Sequence, residues 1–271
     1  MDELASRLLH NWALNAVAHA EALAVVDPTW GSEVHPVAGG WLVLSGAGMY
    51  VNRAMAVGLD SGLSASDLEL IIERSTSRGV SAAIEVTPAT HQATIDTLLA
   101  NGFVHTAEHD VTALTRPVPG RPIDAPERIV RQRVKNPTDL RLWQNTTAIG
   151  WGHTDPAKRR ASNAFSLAAH AVDGELMVLA LDPAHNEPVG CATTTIRDRL
   201  ATLGGMSTVH TRRRQGVQAA LIDYRLELAA RHGCDLAATS AVTGGPSERN
   251  LIRHGFTPLF VVETYESPLP T

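Results

Sequence analysis

The 271-residue sequence predicts a mixed α/β fold in two domains, each a twisted, mostly antiparallel sheet flanked by helices. Three observations predict this architecture. Apolar, β-branched runs of strand length alternate with longer segments of helical periodicity. One glycine-to-glycine segment recurs in each half of the chain. A proline-rich stretch separates the halves and cannot form a helix or a central strand.

The first half is predicted to begin with a helix from about Glu3 to Val25, because its apolar residues recur near one helical face. Strands are expected around residues 41–44 and 50–59. A helix then fills the segment between Gly62 and Gly79, and a strand follows at Ala82–Val86. A short helix and a final strand complete this half.

The second half is predicted to begin with a strand at Ile129–Val134 and two helices, Thr138–Ile149 and Pro156–His170. Three consecutive strands should then form an antiparallel meander. They are Leu176–Leu181, Val189–Arg197 and Ala201–Val209. A helix, a strand at Leu236–Ser240 and a short helix follow before the last strand.

The two halves share an internal repeat. Gly62 and Gly79 are separated by the same number of residues as Gly216 and Gly233, with helical periodicity between them. Both copies end in a similar phrase, LLANGF at residues 98–103 and LIRHGF at residues 251–256. Two matches in register indicate a duplicated architecture; the alternative is two unrelated α/β layers with similar glycine helix caps.

The proline-rich composition between the halves indicates an interdomain linker. Residues 116–126 contain four prolines in eleven residues, which favours a semi-extended chain. The expected domains are therefore residues 1–116 and 127–271, joined by a linker at 117–126.

Composition excludes some functions. Hydrophobic residues make up 44% of the chain, enough for a sizeable core, and the net charge of −5 argues against broad binding to nucleic acid or an anionic membrane. Cys191 and Cys234 are the only cysteines, and no signal peptide or membrane-spanning run is evident. We therefore expect a cytoplasmic protein.

The most informative segment is residues 207–221, STVHTRRRQGVQAAL, which predicts a strand, a turn and a helix start. A helix start presents unpaired N–H groups and the positive end of its dipole, and Arg212 to Arg214 add charge beside Gly216. The turn should therefore attract an anion. An ion pair with a neighbouring carboxylate is the alternative for one of the three arginines. Neither the P-loop pattern nor the dinucleotide glycine pattern is present.

The pattern Arg213-x-x-Gly216-x-Gln218 resembles the pyrophosphate-binding loop of the GNAT superfamily of acyl-CoA-dependent acyltransferases. Gln218 stands where the family usually has glycine or alanine. The resemblance continues through the strand at Cys234–Ser240 and the helix that carries Ser247 and Asn250. It covers roughly the last sixty residues, and with the repeat it implies two tandem GNAT-like domains.

In the first copy, Asp60 lies just before Gly62, where the second copy has arginines. A carboxylate there would repel a pyrophosphate. We therefore expect the first domain to be degenerate and to bind no nucleotide.

The resemblance implies an N-acyltransferase that moves an acyl group from acetyl-CoA, or a close acyl-CoA, to a primary amine of a small molecule, peptide or protein. It implies no metal, no nucleic acid, no membrane partner, and a monomer or homodimer. The cofactor-binding residues it implies are Thr208, Val209, Arg213, Arg214, Gln215, Gly216, Val217, Gln218, Ala219 and Asn250. The resemblance also implies that a backbone N–H at about Val209 polarises the thioester carbonyl and that Asn250 contacts the pantetheine.

The catalytic candidates are less specific. Leu251 occupies the position of the family's usual tyrosine acid, so Ser247, Asn250 or a bound water would protonate the leaving thiolate. His153 is the candidate base, with a surface or capping role as the alternative. Glu85 is a further candidate, with a solvated strand face as its alternative.

Direct attack in a ternary complex is expected, because neither cysteine has an adjacent base in sequence. Two other functions remain open. One is transfer of a longer acyl group from acyl-CoA or a carrier-protein thioester. The other is a non-catalytic sensor of acyl-CoA, which the missing tyrosine favours.

Overall fold

The computed structural model describes residues 3–118 and 129–268, in which helices and strands alternate. The helices are α1 (Glu3–Val26), α2 (Ala65–Ser77), α3 (Gln92–Ala100), α4 (Pro137–Trp151), α5 (Pro156–Ala171), α6 (Val217–Arg231) and α7 (Pro246–Arg253). The strands are β1 (Glu33–Val37), β2 (Gly40–Leu44), β3 (Asn52–Met55), β4 (Ala83–Val86), β5 (Val104–His105), β6 (Val111–Pro117), β7 (Val130–Arg133), β8 (Glu175–Leu181), β9 (Pro188–Arg197), β10 (Leu200–Thr208), β11 (Leu236–Val242) and β12 (Thr257–Glu266).

The described residues form two compact units. Unit 1 contains those of Met1–Leu114, Ser240–Leu251 and Pro258–Thr271, and unit 2 contains those of Thr115–Thr239 and Ile252–Thr257. Most of α7 and β12 therefore belongs to unit 1, although both follow unit 2 in sequence. From residue 119 onward, the predicted linker at 117–126 lies outside the described residues.

Unit 1 has strands in the order β1-β2-β3-β4-β12-β6, with β5 also paired to β12. The β1/β2, β2/β3 and β4/β12 pairs are antiparallel, and β3/β4 is parallel. On one side of the sheet, Ile71 of α2 and Leu98 of α3 are buried with Ile84 of β4. Val17 of α1 packs with Val43 of β2 in a separate core cluster. Helices thus bury apolar side chains of the sheet in two clusters.

Unit 2 contains the predicted meander. Strands β8, β9 and β10 pair antiparallel in sequence order, β7 pairs with β8, and β10 runs parallel to the first residues of β11. Strand β8 is buried on both faces, as its continuous apolar run indicates. Its alternate residues join different clusters: Met177, Leu179 and Leu181 pack with Trp143 of α4, whereas Leu176, Val178 and Ala180 pack with Leu221 of α6.

The mixed α/β class with a mostly antiparallel sheet is confirmed, but two details of unit 1 differ from the prediction. The strand predicted at 50–59 ends at Met55, because Ala56 and Gly58 adopt positive φ angles of 53° and 62° and turn the chain. Strand β1 was not predicted. Its Pro36 hides the strand pattern, and proline is tolerated there because β1 lies at the edge of the sheet.

Candidate functional site

Strand β10 leads into the turn that the sequence predicts to bind an anion, and the pairing of β10 changes along its length. It pairs with β9 from Leu200 to Thr208, with a register shift between Gly204 and Ser207. On its other edge, the paired register with β11 runs from Leu200 to Thr202. The last residues of β10 are therefore held mainly by β9.

The direction of each amide at the end of β10 follows from this register. The Val209 N–H donates to the Val189 carbonyl at 3.0 Å. Thr208 lies opposite Gly190, one residue away from that bonded pair, so its N–H and C=O point away from β9. The hydrogen bond of Val209 counts against its expected role at the thioester, since its proton is already donated. The amide of Thr208 is the one directed outward.

The turn after β10 ends at the start of α6. Residues His210–Arg212 form a single 3-10 turn, Arg214 has φ 62°, and Gly216 is the N-cap of α6 with φ 81° and no side-chain cap. The first helical bond runs from Ala220 N–H to Gly216 O, at 3.0 Å. The N–H groups of the first turn, on Val217, Gln218 and Ala219, therefore have no acceptor within the helix. Residues Arg213 to Gly216 are exposed, so an anion has access to this end of α6.

Two of the three arginines of the turn contact other parts of unit 2. Arg212 forms an ion pair with Asp182 at 2.8 Å, which is the carboxylate alternative that the sequence left open for one of them. The pKa of Asp182 is lowered by the hydrogen bond from the Ala184 N–H, with His185 and Arg212 adding to the effect. Arg213 donates to the Gly150 carbonyl at 3.1 Å and thereby ties the turn to the end of α4.

Helix α4 approaches β10 closely at Gly150. A β-carbon there would lie 2.4 Å from the Ser207 hydroxyl oxygen and 3.1 Å from the Thr208 carbonyl oxygen. The next residue, Trp151, donates from its indole N–H to the Met206 carbonyl at 3.3 Å. The end of α4 therefore packs directly against the part of β10 that precedes the turn.

His153 follows α4 and is buried rather than on the surface. The backbone N–H of His153 donates to the Ala148 carbonyl at 2.8 Å and so caps the end of α4, which fits the capping alternative. Asp155 caps the start of α5 by accepting hydrogen bonds from the Ala157 and Lys158 N–H groups at 2.8 and 3.0 Å. Burial lowers the pKa of His153, and the positive charges of Lys158 and Arg159 lower it further. The imidazole is therefore neutral at pH 7, which is the form that accepts a proton.

Cys191 lies on β9, opposite Ser207 of β10, and is fully buried. Its sulfur is 2.9 Å from the Thr147 hydroxyl and 3.6 Å from the Ser207 hydroxyl. Burial raises the pKa of the Cys191 thiol to about 11, so the nucleophilic thiolate is not populated at neutral pH. Cys234 is also buried and free.

One polar residue of unit 2 was missed by the sequence analysis. Arg225 of α6 is 1% exposed, and burial lowers the pKa of its guanidinium to about 9. It donates to carbonyls of α6, β9 and β10. The sequence feature that could have indicated its burial is its spacing of four residues from the apolar Leu221 on the same helix.

In the first copy of the repeat, side chains cap the N-terminus of helix α2, whereas in the second copy the N-terminus of α6 has no side-chain cap. The Ser64 side chain caps α2 by accepting the Asp67 N–H at 3.2 Å, and the Asp67 carboxylate accepts the Ser64 N–H at 3.2 Å. A carboxylate of the protein therefore already lies at the positive end of α2. That the first copy binds no nucleotide stays a prediction.

The remaining candidates lie in unit 1. Ser247 is exposed and Asn250 half-buried on α7, and their roles stay predictions. Glu85 pairs with Arg53 at 3.4 Å, with only 11% of its side chain exposed, so it is not on a solvated face. Burial raises the pKa of Glu85, partly offset by Arg53. Among residues 3–118 and 129–268, no group of three or more His, Cys, Asp or Glu side chains could hold a metal ion.

Comparisons with known proteins identify a matching family and similar folds. Residues 139–256 match the model of the Acetyltransferase (GNAT) family. The structure is similar to a GCN5-related N-acetyltransferase from Kribbella flavida, with a TM-score of 0.64, 17% identity, and coverage of 94% of this chain and 95% of that one. It is also similar to a tandem GNAT protein from the clavulanic acid biosynthesis pathway, with a TM-score of 0.64, 13% identity and 96% coverage of both chains. No curated protein matches the chain significantly.

The family match supports a function in acyl transfer. The chain carries a GNAT domain in residues 139–256, and the protein is an acyltransferase. Its fold along nearly the whole chain is that of GNAT proteins, including a tandem one. None of the helices in the described part of the chain is long and apolar enough to cross a membrane.

Proposed function

We propose that the protein transfers an acetyl group, or a closely related acyl group, from acyl-CoA to a primary amine by direct attack in a ternary complex. The observation that carries the proposal is the start of α6, where Gly216 leaves the first-turn N–H groups uncapped beside exposed arginines. Backbone amides at the positive end of a helix bind phosphate oxygens, and arginine adds charge and forked donors.

The donor would lie along the turn and β10. Amides from Arg214 to Ala219 would hold the pyrophosphate, with Arg214 and Gln215 exposed beside it. The Arg213 N–H already donates to the His210 carbonyl at 3.4 Å, so Arg213 would contribute its charge. The pantetheine would follow β10 toward the outward-facing amide of Thr208, which would polarise the thioester carbonyl. We propose Asn250 of α7 as a further contact to the pantetheine.

Direct attack needs a neutral amine and a proton acceptor. The lowered pKa of His153 supports its role as that acceptor, directly or through water, because the imidazole stays unprotonated at pH 7. The amine nitrogen would form a bond to the carbonyl carbon, and the carbon–sulfur bond would break. The leaving thiolate would take a proton from Ser247, Asn250 or water, or leave as the anion, since a free thiol has a pKa of about 8.5.

A covalent acyl-enzyme is disfavoured by the environment of the cysteines. Cys191 is fully buried with a pKa raised to about 11, and Cys234 is buried as well. Two free thiols also support the proposed cytoplasmic location.

Calorimetric titration of acetyl-CoA into the parent protein and into Gly216→Glu tests the proposal. The introduced carboxylate would lie where the pyrophosphate binds, so we expect the parent to bind and the variant to lose binding. Gly233→Glu is the matched control: Gly233 also has a positive φ, of 70°, and both positions have open space around an added β-carbon. Gly233 follows the other end of α6, so the Gly233→Glu variant should bind acetyl-CoA with the affinity of the parent.

The other outcomes separate the rival functions. If the parent does not bind acetyl-CoA, the donor is a different thioester or the turn has no acyl-CoA ligand. If it binds but releases no coenzyme A with any amine in a broad panel, the protein is a sensor. Faster release of the carrier from longer acyl-CoA or carrier-protein thioesters would identify a different acyl donor.

A further inference from the structure

We infer that Arg225 is a positioning residue that holds the thioester-binding end of β10 in register with the phosphate-binding start of α6. The inference rests on the proposed function. It assigns to one buried side chain the task of keeping the two halves of the acyl-CoA site at a fixed separation.

Arg225 joins three elements of unit 2. Its Nε donates to the Leu221 carbonyl of α6 at 3.1 Å, and its Nη1 donates to the Thr193 carbonyl of β9 at 3.2 Å and the Gly204 carbonyl of β10 at 3.3 Å. Its Nη2 lies 3.2 Å from the Met206 sulfur. The planar guanidinium fixes the directions of these bonds, which a flexible ammonium does not.

These contacts converge on the irregular part of β10. The register with β9 shifts between Gly204 and Ser207, and Gly205 has a positive φ of 51°. A bulge interrupts the regular ladder of hydrogen bonds, so its conformation depends on other contacts. Arg225 supplies contacts to both Gly204 and Met206, on either side of Gly205.

The register after the bulge decides which amide faces the donor. Each one-residue shift along a strand reverses the edge to which an amide points. Thr208 is two residues beyond Met206, so the outward direction of its N–H depends on the bulge that Arg225 holds. Because Arg225 lies on the helix that starts at Gly216, the same side chain links this amide to the phosphate turn.

Burial of this arginine is costly, which supports a specific role. A buried cation loses hydration, and here backbone carbonyls rather than a carboxylate accept its hydrogen bonds. An apolar side chain of similar length would fill the space without that loss of hydration. It would leave the carbonyls of Thr193 and Gly204 without these donors.

Two ligands of different length test the inference. Adenosine 3′-phosphate 5′-diphosphate engages only the phosphate turn, whereas coenzyme A also reaches β10. We expect R225K to retain the affinity of the parent for the short ligand. It should lose about tenfold of the additional affinity for coenzyme A, as expected from losing one or two aligned backbone hydrogen bonds. The KM for acetyl-CoA should rise in parallel.

The matched control is R231K, on the same helix, where Arg231 is 65% exposed and pairs with Glu227. It should bind both ligands as the parent does. M206L is a second probe of the same contacts, because it removes the sulfur acceptor without changing a charge. It should show a smaller loss, again confined to coenzyme A, and it stands as the test if R225K does not fold.

Failure of the inference about Arg225 and failure of the proposed function give different results. Equal weakening of both ligands in the variants, or no change in either, would overturn the inference while leaving the proposed function intact. A parent protein that binds neither ligand would contradict the proposed function itself, and the inference would fall with it.

Discussion

Gly150→Ala is expected to impair acyl transfer by pushing α4 and β10 apart. The added β-carbon would lie 2.4 Å from the Ser207 hydroxyl oxygen, 3.0 Å from the Ser207 β-carbon and 3.1 Å from the Thr208 carbonyl oxygen. The hydroxyl can rotate away, but the other two atoms belong to or adjoin the backbone. Relief therefore requires β10 to move by roughly 0.4 Å, since nonbonded heavy atoms prefer separations of about 3.5 Å or more.

This movement should affect the free energy of unfolding less than it affects the rate of acyl transfer. Overpacking costs about 1–3 kcal/mol, and the better helix propensity of alanine returns roughly 1 kcal/mol, so the net destabilisation should be small. Displacement of the Thr208 amide has a larger effect, because a misplacement of about 1 Å lowers rates by about a hundredfold. We expect kcat/KM for acetyl-CoA to fall by about tenfold.

The assay is steady-state coenzyme A release at saturating amine, together with thermal unfolding of each variant. Ser207→Ala in the Gly150→Ala background removes only the contact that rotation of the hydroxyl already relieves, so the double variant should remain as impaired as Gly150→Ala. A Gly150→Ala protein with parental kcat/KM and a raised unfolding temperature would refute this account of the contact.

Two further predictions concern the chemistry. His153→Gln should lower kcat by about a hundredfold and remove the acid limb of the pH–rate profile. In the parent that limb should lie below the ordinary histidine pKa of about 6.5, because burial and the charges of Lys158 and Arg159 lower the pKa of His153. The same shift means that stability falls as the pH drops from about 6.5 toward the folded-state pKa, which thermal unfolding across that range would detect. Cys191→Ala with Cys234→Ala should retain kcat, and loss of turnover with intact donor binding would contradict direct attack.

Much of the secondary structure follows from local sequence. The meander β8–β10, the helices α4 to α6 and the turn before α6 lie within a few residues of their predicted limits. These elements are predictable because the alternation of apolar residues, a proline at the start of α4 and a glycine before α6 act over short distances. The exceptions lie in unit 1: the proline of edge strand β1 conceals its pattern, and β3 ends at Met55 although a strand was predicted over residues 50–59.

The site is less predictable, and Val209 shows why. The sequence locates the end of the strand, but the direction of an amide reverses with every residue. The register shift between Gly204 and Ser207 then displaces the pairing by one residue. No local pattern encodes that shift, so the outward direction of the Thr208 amide, and the bond of the Val209 amide to β9, follow only from the pairing with β9.

The sequence by itself determined the class of fold and the resemblance to GNAT acyltransferases, and it predicted the repeated elements and a turn suited to an anion, because each depends on residues close together in the chain. Tertiary structure decided which groups remain available. It assigned Arg212 to Asp182, buried His153 and Cys191, and set α4 against β10 at Gly150. These outcomes depend on desolvation and on contacts between residues far apart in sequence, which only packing brings together.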